Sequence, residues 1–158
     1  MNAIRGFKGE YRWLSNFYPC NITMFDFVWP TAEHAYVAAK FRRIDDSSFE
    51  EGLKLYCKLA ALTPGQAKRM GREATLPPNW DQYKIKVMEK IIELKFSCDN
   101  KDLMQKLIAT GDAYIEETNS WGDEFWGVNV TKHGSAGQNM LGKIIMSRRS
   151  EINEMKQR

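Results

Sequence analysis

Residues 29–41 read WPTAEHAYVAAKF, and this stretch predicts the helix around which the rest of the chain is organised. Pro30 and Thr31 suit the first positions of a helix, because proline lacks only an N–H that would be unpaired there and threonine can cap the turn. At 100° per residue, Glu33 and Lys40 lie two turns apart and within about 20° of each other on one face. The other positions are almost all apolar, so we expect this helix to be buried.

A carboxylate and an ammonium on one line of a buried helix need an explanation, because isolated charges are costly to bury. In one interpretation, Glu33 and Lys40 form a satisfied internal salt bridge. In the other, they are an active-site pair whose pKa values are tuned by desolvation and by each other. The pattern by itself favours the salt bridge and leaves the active-site pair open.

Length and composition predict a single globular domain over residues 1–158. With 43% hydrophobic and 27% charged residues, the chain has neither a membrane-spanning run nor a recognisable secretion signal, so we expect a cytoplasmic protein. A net charge of +3 is too small for a protein that simply coats nucleic acid. The three cysteines share no CxxC spacing and the two histidines, His34 and His133, have no acids at metal-ligand spacing, so we expect reduced cysteines and neither a metal nor a cofactor.

Short strands and amphipathic helices are predicted along the rest of the chain. Residues 4–29 predict short strands, among them Trp13–Pro19 and Ile22–Val28, which we expect to form a hairpin. Apolar spacing predicts a strand at 113–118 and helices at 49–59, 63–70, 80–96, 100–109 and 138–155. A capping cluster at 45–48 precedes the helix at 49–59. The helix at 63–70 begins with a Thr63–Gln66 capping box and is predicted to stop at Gly71.

A glycine-rich segment at 119–137 is predicted to be a loop, and long loops inside compact domains often build binding sites. Asp123 lies between Trp121 and Trp126, and Gly122 and Gly127 would let the backbone approach a ligand closely. The segment therefore predicts a stacking box with an acid in its floor. The structural alternative is that the tryptophans fill the core and Asp123 caps a turn.

Two further groups have both a functional and a structural interpretation. Lys68, Arg69 and Arg72 cluster at the C-terminal end of the helix that starts at Thr63. They could bind phosphate or could complement the helix dipole. The turn at 15–19 supplies the amide of Asn16 and aromatic rings beside it, which fit either a pocket wall or a tight structural turn.

Eight separate blocks of this sequence resemble the NADAR superfamily, also called YbiA-like, in the family's order. They are LSNFYP at 14–19, WPTAEHAYVAAKF at 29–41, GR at 71–72, NWDQYKIKVM at 79–88, KF at 95–96, TGD at 110–112, WGDEFWG at 121–127 and QNMLGKIIMSRR at 138–149. The resemblance implies an α+β fold, a single helix-rich domain with a small N-terminal β-hairpin or sheet. It also implies an enzyme that hydrolyses N-glycosidic bonds of ribosyl compounds.

The resemblance implies two groups of substrate, namely phosphorylated ribosylamino intermediates of riboflavin synthesis and ADP-ribose joined to guanine in nucleic acid. We expect no cofactor, no membrane and no obligate protein partner. The alternative from another class is a module that binds ADP-ribose or a nucleotide without cleaving it. A plain nucleic-acid-binding protein is disfavoured by the low net charge.

Carried over position by position, the resemblance implies catalytic roles for Glu33, Lys40 and Asp123. It implies substrate binding by the pocket-lining and loop residues Asn16, Phe17, Arg72, Trp121, Trp126 and Gly127. We hypothesise that Lys40 forms a Schiff base with the opened ribose while Glu33 transfers protons, and that Arg72, with Lys68 or Arg148, contacts phosphate. The alternatives are direct attack by water, with Asp123 or Glu33 as base, and Lys84 as the reactive lysine.

Overall fold

The structure is a computed structural model that describes residues 2–41 and 49–158. Its elements in chain order are β1 (Ala3–Arg5), a 3₁₀ helix (Gly9–Leu14), β2 (Pro19–Met24), β3 (Phe27–Thr31), α1 (Ala32–Phe41), α2 (Phe49–Ala60), α3 (Pro64–Arg72), α4 (Trp80–Lys95), a 3₁₀ helix (Cys98–Asn100), α5 (Lys101–Ala109), β4 (Tyr114–Glu116), β5 (Thr118–Asn119), β6 (Val128–Thr131), β7 (Gly134–Ala136) and α6 (Met140–Lys156). The predicted α+β class is confirmed. The residues divide into two compact units, Asn16–Lys95 and Met1–Ser15 with Phe96–Arg158, each described by itself below. A single domain over 1–158 stays a prediction.

A β-hairpin opens the first unit. Strands β2 and β3 pair in antiparallel fashion around a turn at Phe25 and Asp26, whose φ angles are 59° and 57°. Two left-handed residues are the signature of the turn that matches the twist of paired strands. The predicted strand over Ile22–Val28 is therefore wrong, because this turn divides it. Trp29 is wholly buried and donates its indole N–H to the carbonyl of Met24 at 2.9 Å.

Helix α1 is buried along almost its whole length, as its composition predicts. Every side chain from Ala32 to Ala39 is buried. Pro30 and Thr31 close β3 and do not open the helix, but the Thr31 hydroxyl still caps it by accepting the N–H of His34 at 3.2 Å. The carbonyl of Asn16 accepts the N–H of Glu33 at 3.0 Å, so the first turn of α1 is fastened to the 15–19 turn.

The imidazole of His34 ties α1 to the segment between α2 and α3. Its Nε2 lies 2.8 Å from the carbonyl of Leu62, which can only accept, so Nε2 carries the hydrogen and Nδ1 accepts from the Thr31 hydroxyl at 2.7 Å. Burial lowers the pKa of His34 below its usual 6.5. A neutral ring with both nitrogens engaged therefore holds the start of α1 in place.

Helices α2, α3 and α4 complete this unit. The predicted capping box of α3 is confirmed, since Thr63 Oγ1 accepts the N–H of Gln66 at 3.2 Å and Gln66 Oε1 accepts the N–H of Thr63 at 2.9 Å. The predicted stop at Gly71 is wrong, because α3 continues to Arg72. The predicted capping cluster at 45–48 lies outside the described residues.

The second unit is built around a parallel pair of strands and helices α5 and α6. β1 pairs with β4, with Ile4 opposite Ile115. The predicted strand at Trp13–Pro19 is wrong, because Gly9–Leu14 is a 3₁₀ helix that buries two successive side chains, Trp13 and Leu14. A strand would direct neighbouring side chains to opposite faces. The Trp13 ring packs edge-on against Phe96, with centroids 6.1 Å apart.

The segment predicted as a loop, 119–137, contains regular structure. β6 and β7 form an antiparallel hairpin, and β6 also pairs in parallel with β5. These strands are short and largely polar, so their sequence carries no alternation strong enough to reveal them. In the part of the chain that the structure describes, no helix is both long and apolar enough to cross a membrane.

Candidate active site

The Glu33–Lys40 face of α1 is the centre of the candidate site. Glu33 is 9% exposed in the first turn, and Lys40 is half-buried in the last. The Lys40 Nζ lies 5.2 Å from the centroid of the Tyr36 ring. That ring packs in turn against Trp80 of α4, with centroids 5.5 Å apart. The lysine head group therefore lies against an aromatic wall.

The pKa of Lys40 is lowered below its usual 10.5, first of all by burial. The carboxylate of Glu33 acts in the opposite direction and raises it. Three cations, Lys68, Arg72 and Lys84, each lower it further, because a neighbouring positive charge disfavours the ammonium form. The balance enlarges the fraction of neutral amine, which is the nucleophilic form of lysine.

Gly71 allows α3 to approach α1 closely at this point. A Cβ on Gly71 would lie 2.9 Å and 3.3 Å from the two methyl groups of Val37 and 3.6 Å from Lys40 Nζ. A larger residue would require Val37 or one of the two helices to shift. The sequence predicts Gly71 only as a helix stop, although a glycine inside a helical pattern often marks close packing.

The three cations that lower the pKa of Lys40 lie on α3 and α4. The Nζ of Lys68 lies 5.8 Å from the centroid of the Phe17 ring, and Arg72 is exposed at the end of α3. Lys84 forms an ion pair with Asp81 at 3.0 Å. The predicted phosphate edge at the end of α3 therefore adjoins Lys40.

Arg148, the alternative phosphate contact, lies in the other unit. Its Nε and Nη2 donate to the carbonyl of Phe96 at 3.1 Å and 3.0 Å, and its Nη1 pairs with Glu151 at 3.2 Å. These contacts give its guanidinium a structural function.

The 15–19 turn lies against the start of α1. Besides accepting the N–H of Glu33, Asn16 donates its side-chain Nδ2 to the sulfur of Met88 at 3.7 Å. Its Oδ1 is buried and accepts no hydrogen bond from any residue that the structure describes. Phe17 is 40% exposed. The structure thus brings together Asn16, Phe17, Glu33, Lys40 and Arg72 in the Asn16–Lys95 unit.

Asp123 in the other unit caps a turn. Its Oδ1 accepts the N–H of Phe125 at 3.1 Å and of Trp126 at 2.9 Å. The buried amide of Asn119 holds the Asp123 backbone from both sides, with its Oδ1 3.1 Å from the nitrogen and its Nδ2 2.8 Å from the oxygen. The structural alternative for Asp123 is thereby observed, and its catalytic role stays a prediction.

The aromatic residues of this loop differ in exposure. Trp121 is 59% exposed, whereas Trp126 is half-buried with its ring edge-on to Phe125 at 4.8 Å between centroids. A Cβ on Gly127 would collide with the carboxylate and the carbonyl of Glu117. Close packing against Glu117 is therefore a sufficient reason for glycine at 127, and the predicted substrate-binding roles of these loop residues remain predictions.

Asn119 and Asn139 organise this loop, although neither is predicted from the sequence as a functional or structural residue. Asn139 has a left-handed φ of 52°, and its side chain accepts the N–H of Glu117 at 3.0 Å and donates to the carbonyl of Ile115 at 2.9 Å. Buried amides of this kind leave no periodic signal in a sequence.

Among the described residues, no three His, Cys, Asp or Glu side chains converge as metal ligands would.

An acid and a lysine of lowered pKa on one buried helix, with cations around them, are features typical of enzyme active sites. Comparison with known proteins identifies the family. The chain belongs to the NADAR domain family, whose model matches residues 5–153.

Named relatives and a solved structure agree with this assignment. N-glycosidase YbiA of Escherichia coli is 32% identical over 145 residues, covering 90% of this chain and 82% of that protein. An N-glycosidase of Nostoc punctiforme is 37% identical over 147 residues, covering 92% of this chain and 88% of that protein. The NMR structure of E. coli YbiA matches with a TM-score of 0.78 and 31% identity, covering 98% of this chain and 87% of that chain. These names support a glycosyl hydrolase.

A riboflavin biosynthesis protein of Vibrio vulnificus is also similar. It is 39% identical over 147 residues, which is 92% of this chain. The chain spans only 36% of that protein's length.

Proposed function

We propose that this protein is an N-glycosidase that hydrolyses the bond between ribose and nitrogen in a phosphorylated ribosyl compound. The observation that carries the proposal is Lys40, whose pKa is lowered beside Glu33 and within reach of three further cations. A neutral amine next to a carboxylate suits attack at C1, and the cations suit a phosphate. The names of the relatives, N-glycosidase and riboflavin biosynthesis protein, support the same substrate class.

In the proposed mechanism, the neutral Lys40 amine attacks C1 of the ribose. As the Lys40–C1 bond forms, the Glu33 carboxylate takes a proton from the Lys40 nitrogen and passes it to the departing nitrogen, whose bond to C1 breaks. The ring C1–O bond then opens, and the ring oxygen takes the remaining proton of the Lys40 nitrogen, which leaves a neutral Schiff base. Water adds to C1, Lys40 departs, and the free sugar closes again.

The runner-up mechanism is direct attack by water, with Glu33 or Asp123 as base and Lys40 as an electrostatic partner. In this version no bond forms between lysine and sugar. Sodium borohydride separates the two mechanisms, because it reduces a Schiff base to a stable secondary amine. We expect a trapped adduct on the wild-type protein that is lost in Lys40→Ala and kept in Lys84→Ala. An adduct that survives Lys40→Ala would transfer the role to another lysine.

Arg72 and Lys68 are the proposed phosphate ligands. Both charges act on Lys40, and Arg72 is exposed at the end of α3, where a guanidinium fork can meet phosphate oxygens. We expect Arg72→Ala to raise KM for the phosphorylated substrate by roughly tenfold or more. An unchanged KM would refute this assignment.

The second candidate substrate is ADP-ribose joined to guanine in nucleic acid. The exposure of Trp121 favours it, because an exposed indole ring can stack on a base. Release of base decides between the candidates when the protein is incubated with a ribosylaminopyrimidine phosphate and, separately, with DNA that carries ADP-ribosylated guanine. Lys40→Ala serves as the inactive variant and Lys86→Ala, at an exposed site on α4, as the control. Binding without release from either compound would identify a non-catalytic module.

A further inference from the structure

The side-chain oxygen of Asn16 is buried without a hydrogen-bond partner in the part of the chain that the structure describes. Less than 1 Å² of Oδ1 is accessible, and no residue that the structure describes donates a hydrogen bond to it. Polar groups buried in this way are rare in folded proteins, because they lose water without gaining a replacement.

Reversing the amide would not remove the problem. The Met88 sulfur, 3.7 Å from Nδ2, can accept a hydrogen bond but cannot donate one. Turning the amide over in place would therefore put two acceptors face to face. In the present orientation the amide makes one weak bond among the described residues, to sulfur, so rotating the side chain toward a stronger partner breaks only that bond.

The location of Asn16 indicates what that partner is. The carbonyl of Asn16 accepts the N–H of Glu33 at 3.0 Å, and the Glu33 carboxylate acts on Lys40. The next residue, Phe17, has its ring 5.8 Å from the Lys68 ammonium. Asn16 is thus hydrogen-bonded to Glu33, which belongs to the proposed catalytic pair, and lies beside the proposed phosphate ligands. The part of a substrate between C1 and a 5-phosphate is the sugar itself.

We propose that Asn16 is a specificity-determining residue whose Oδ1 accepts a hydrogen bond from the sugar hydroxyl next to C1, the 2′-hydroxyl. This inference rests on the proposed N-glycosidase function. On substrate binding, the amide exchanges its sulfur contact for the hydroxyl, and Oδ1 gains the donor that it lacks in the free protein. A site that depends on a hydroxyl in this way rejects the deoxy sugar strongly, because its own buried oxygen then stays unpaired.

The first test compares the wild-type protein with Asn16→Leu, which keeps the approximate side-chain volume and removes the amide. Release of base is measured from a ribosylaminopyrimidine 5-phosphate and from its 2′-deoxy counterpart. For each protein, kcat/KM for the ribose substrate is divided by kcat/KM for the deoxyribose substrate. Dividing this ratio for the wild type by the ratio for the variant cancels the difference in intrinsic reactivity between the two sugars. We expect a quotient on the order of 10²-fold or more. A quotient near one would overturn the inference.

A binding measurement separates failure of this inference from failure of the proposed function. Ribose 5-phosphate is expected to raise the Tm of the wild-type protein more than 2-deoxyribose 5-phosphate does, and the two sugars to act equally on Asn16→Leu. If the wild type releases no base, the proposed function fails and the sugar comparison still judges Asn16. Equal effects of the two sugars on the wild type would overturn the inference.

Stability of the unliganded protein gives a third readout. Because Oδ1 has no partner among the described residues, Asn16→Leu is expected to unfold at the wild-type Tm or above it. The matched control is Asn21→Leu, at an exposed asparagine of β2. A Tm for Asn16→Leu clearly below that of the control would show that Oδ1 has a partner in the folded protein and would overturn the inference. Asn16→Ala repeats the sugar comparisons, so that an effect of the leucine's shape is recognised.

Discussion

The Nζ of Lys40 lies 5.2 Å from the centroid of the Tyr36 ring, one helical turn earlier in α1. A ring face attracts an ammonium, as does the Glu33 carboxylate, so both neighbours favour the charged form of Lys40. Burial and the surrounding cations nevertheless outweigh the carboxylate and lower the pKa. Tyr36 and Glu33 thus favour the ammonium form of Lys40, whereas burial and the neighbouring cations disfavour it more strongly.

The pH dependence of cleavage should report the titration of Lys40. A nucleophilic amine must be neutral, so kcat/KM should rise about tenfold per pH unit and level off below pH 10.5, the usual lysine value. Lys68→Gln removes a charge that lowers this pKa, and the rising limb should move to higher pH. Lys86→Gln is the matched control on α4. A limb that stays in place or moves down in Lys68→Gln would contradict the charge assignment.

Gly71→Ala should destabilise the protein by about 1–3 kcal/mol and lower cleavage, because the new methyl group meets Val37 and crowds Lys40. Gly65→Ala in the same helix has open space around it and should be neutral or slightly stabilising. Chemical denaturation measures both. Val37→Ala in the Gly71→Ala background should recover part of the lost stability, and equal effects of the two glycine variants would show that close packing is not the cause.

Asp123 can be tested for its two roles separately. Asp123→Asn keeps an oxygen acceptor for the N–H groups of Phe125 and Trp126 and should retain the wild-type stability within a few tenths of a kcal/mol, whereas Asp123→Ala should lose about 1 kcal/mol. If Asp123 also takes part in catalysis, both variants should lose turnover. Full activity in Asp123→Asn would leave only the capping role.

Lys95 should make stability depend on pH in alkaline solution. It is wholly buried, and burial lowers its pKa from 10.5 to about 8, an effect that Cys20 opposes. Between these two values the unfolded chain binds more protons than the folded protein, so stability should rise with pH, by up to about 3 kcal/mol at pH 10.5. Below pH 8 this contribution should be constant.

The measurement compares denaturant unfolding at pH 7.5, 9 and 10 for proteins with lysine or methionine at position 95. Both proteins carry Cys20→Ser, because the raised pKa of Cys20 would otherwise add a slope of opposite sign. The lysine protein should gain stability relative to Lys95→Met as the pH rises. Parallel curves would mean that Lys95 titrates normally in the folded protein.

Local signals in the sequence predicted much of the fold. The capping box of α3 and the buried course of α1 were visible because each depends on residues within one or two turns. The division of Ile22–Val28 by a turn was not visible, because Phe25 and Asp26 adopt left-handed φ angles without glycine. The amide network of Asn139 was likewise hidden, since its partners Ile115 and Glu117 belong to a separate segment, 24 and 22 residues earlier in the chain.

The sequence by itself determined that Glu33 and Lys40 share one face of a buried helix, because the 3.6-residue repeat is a local property of the chain. The tertiary structure decided what that face can do chemically. Burial and the charges of Lys68 and Lys84, which come from α3 and α4, lower the pKa of Lys40. The fold also buries Asn16 Oδ1 where no described residue donates to it. Desolvation and through-space charge depend on which segments meet, and spacing along one helix carries no information about that.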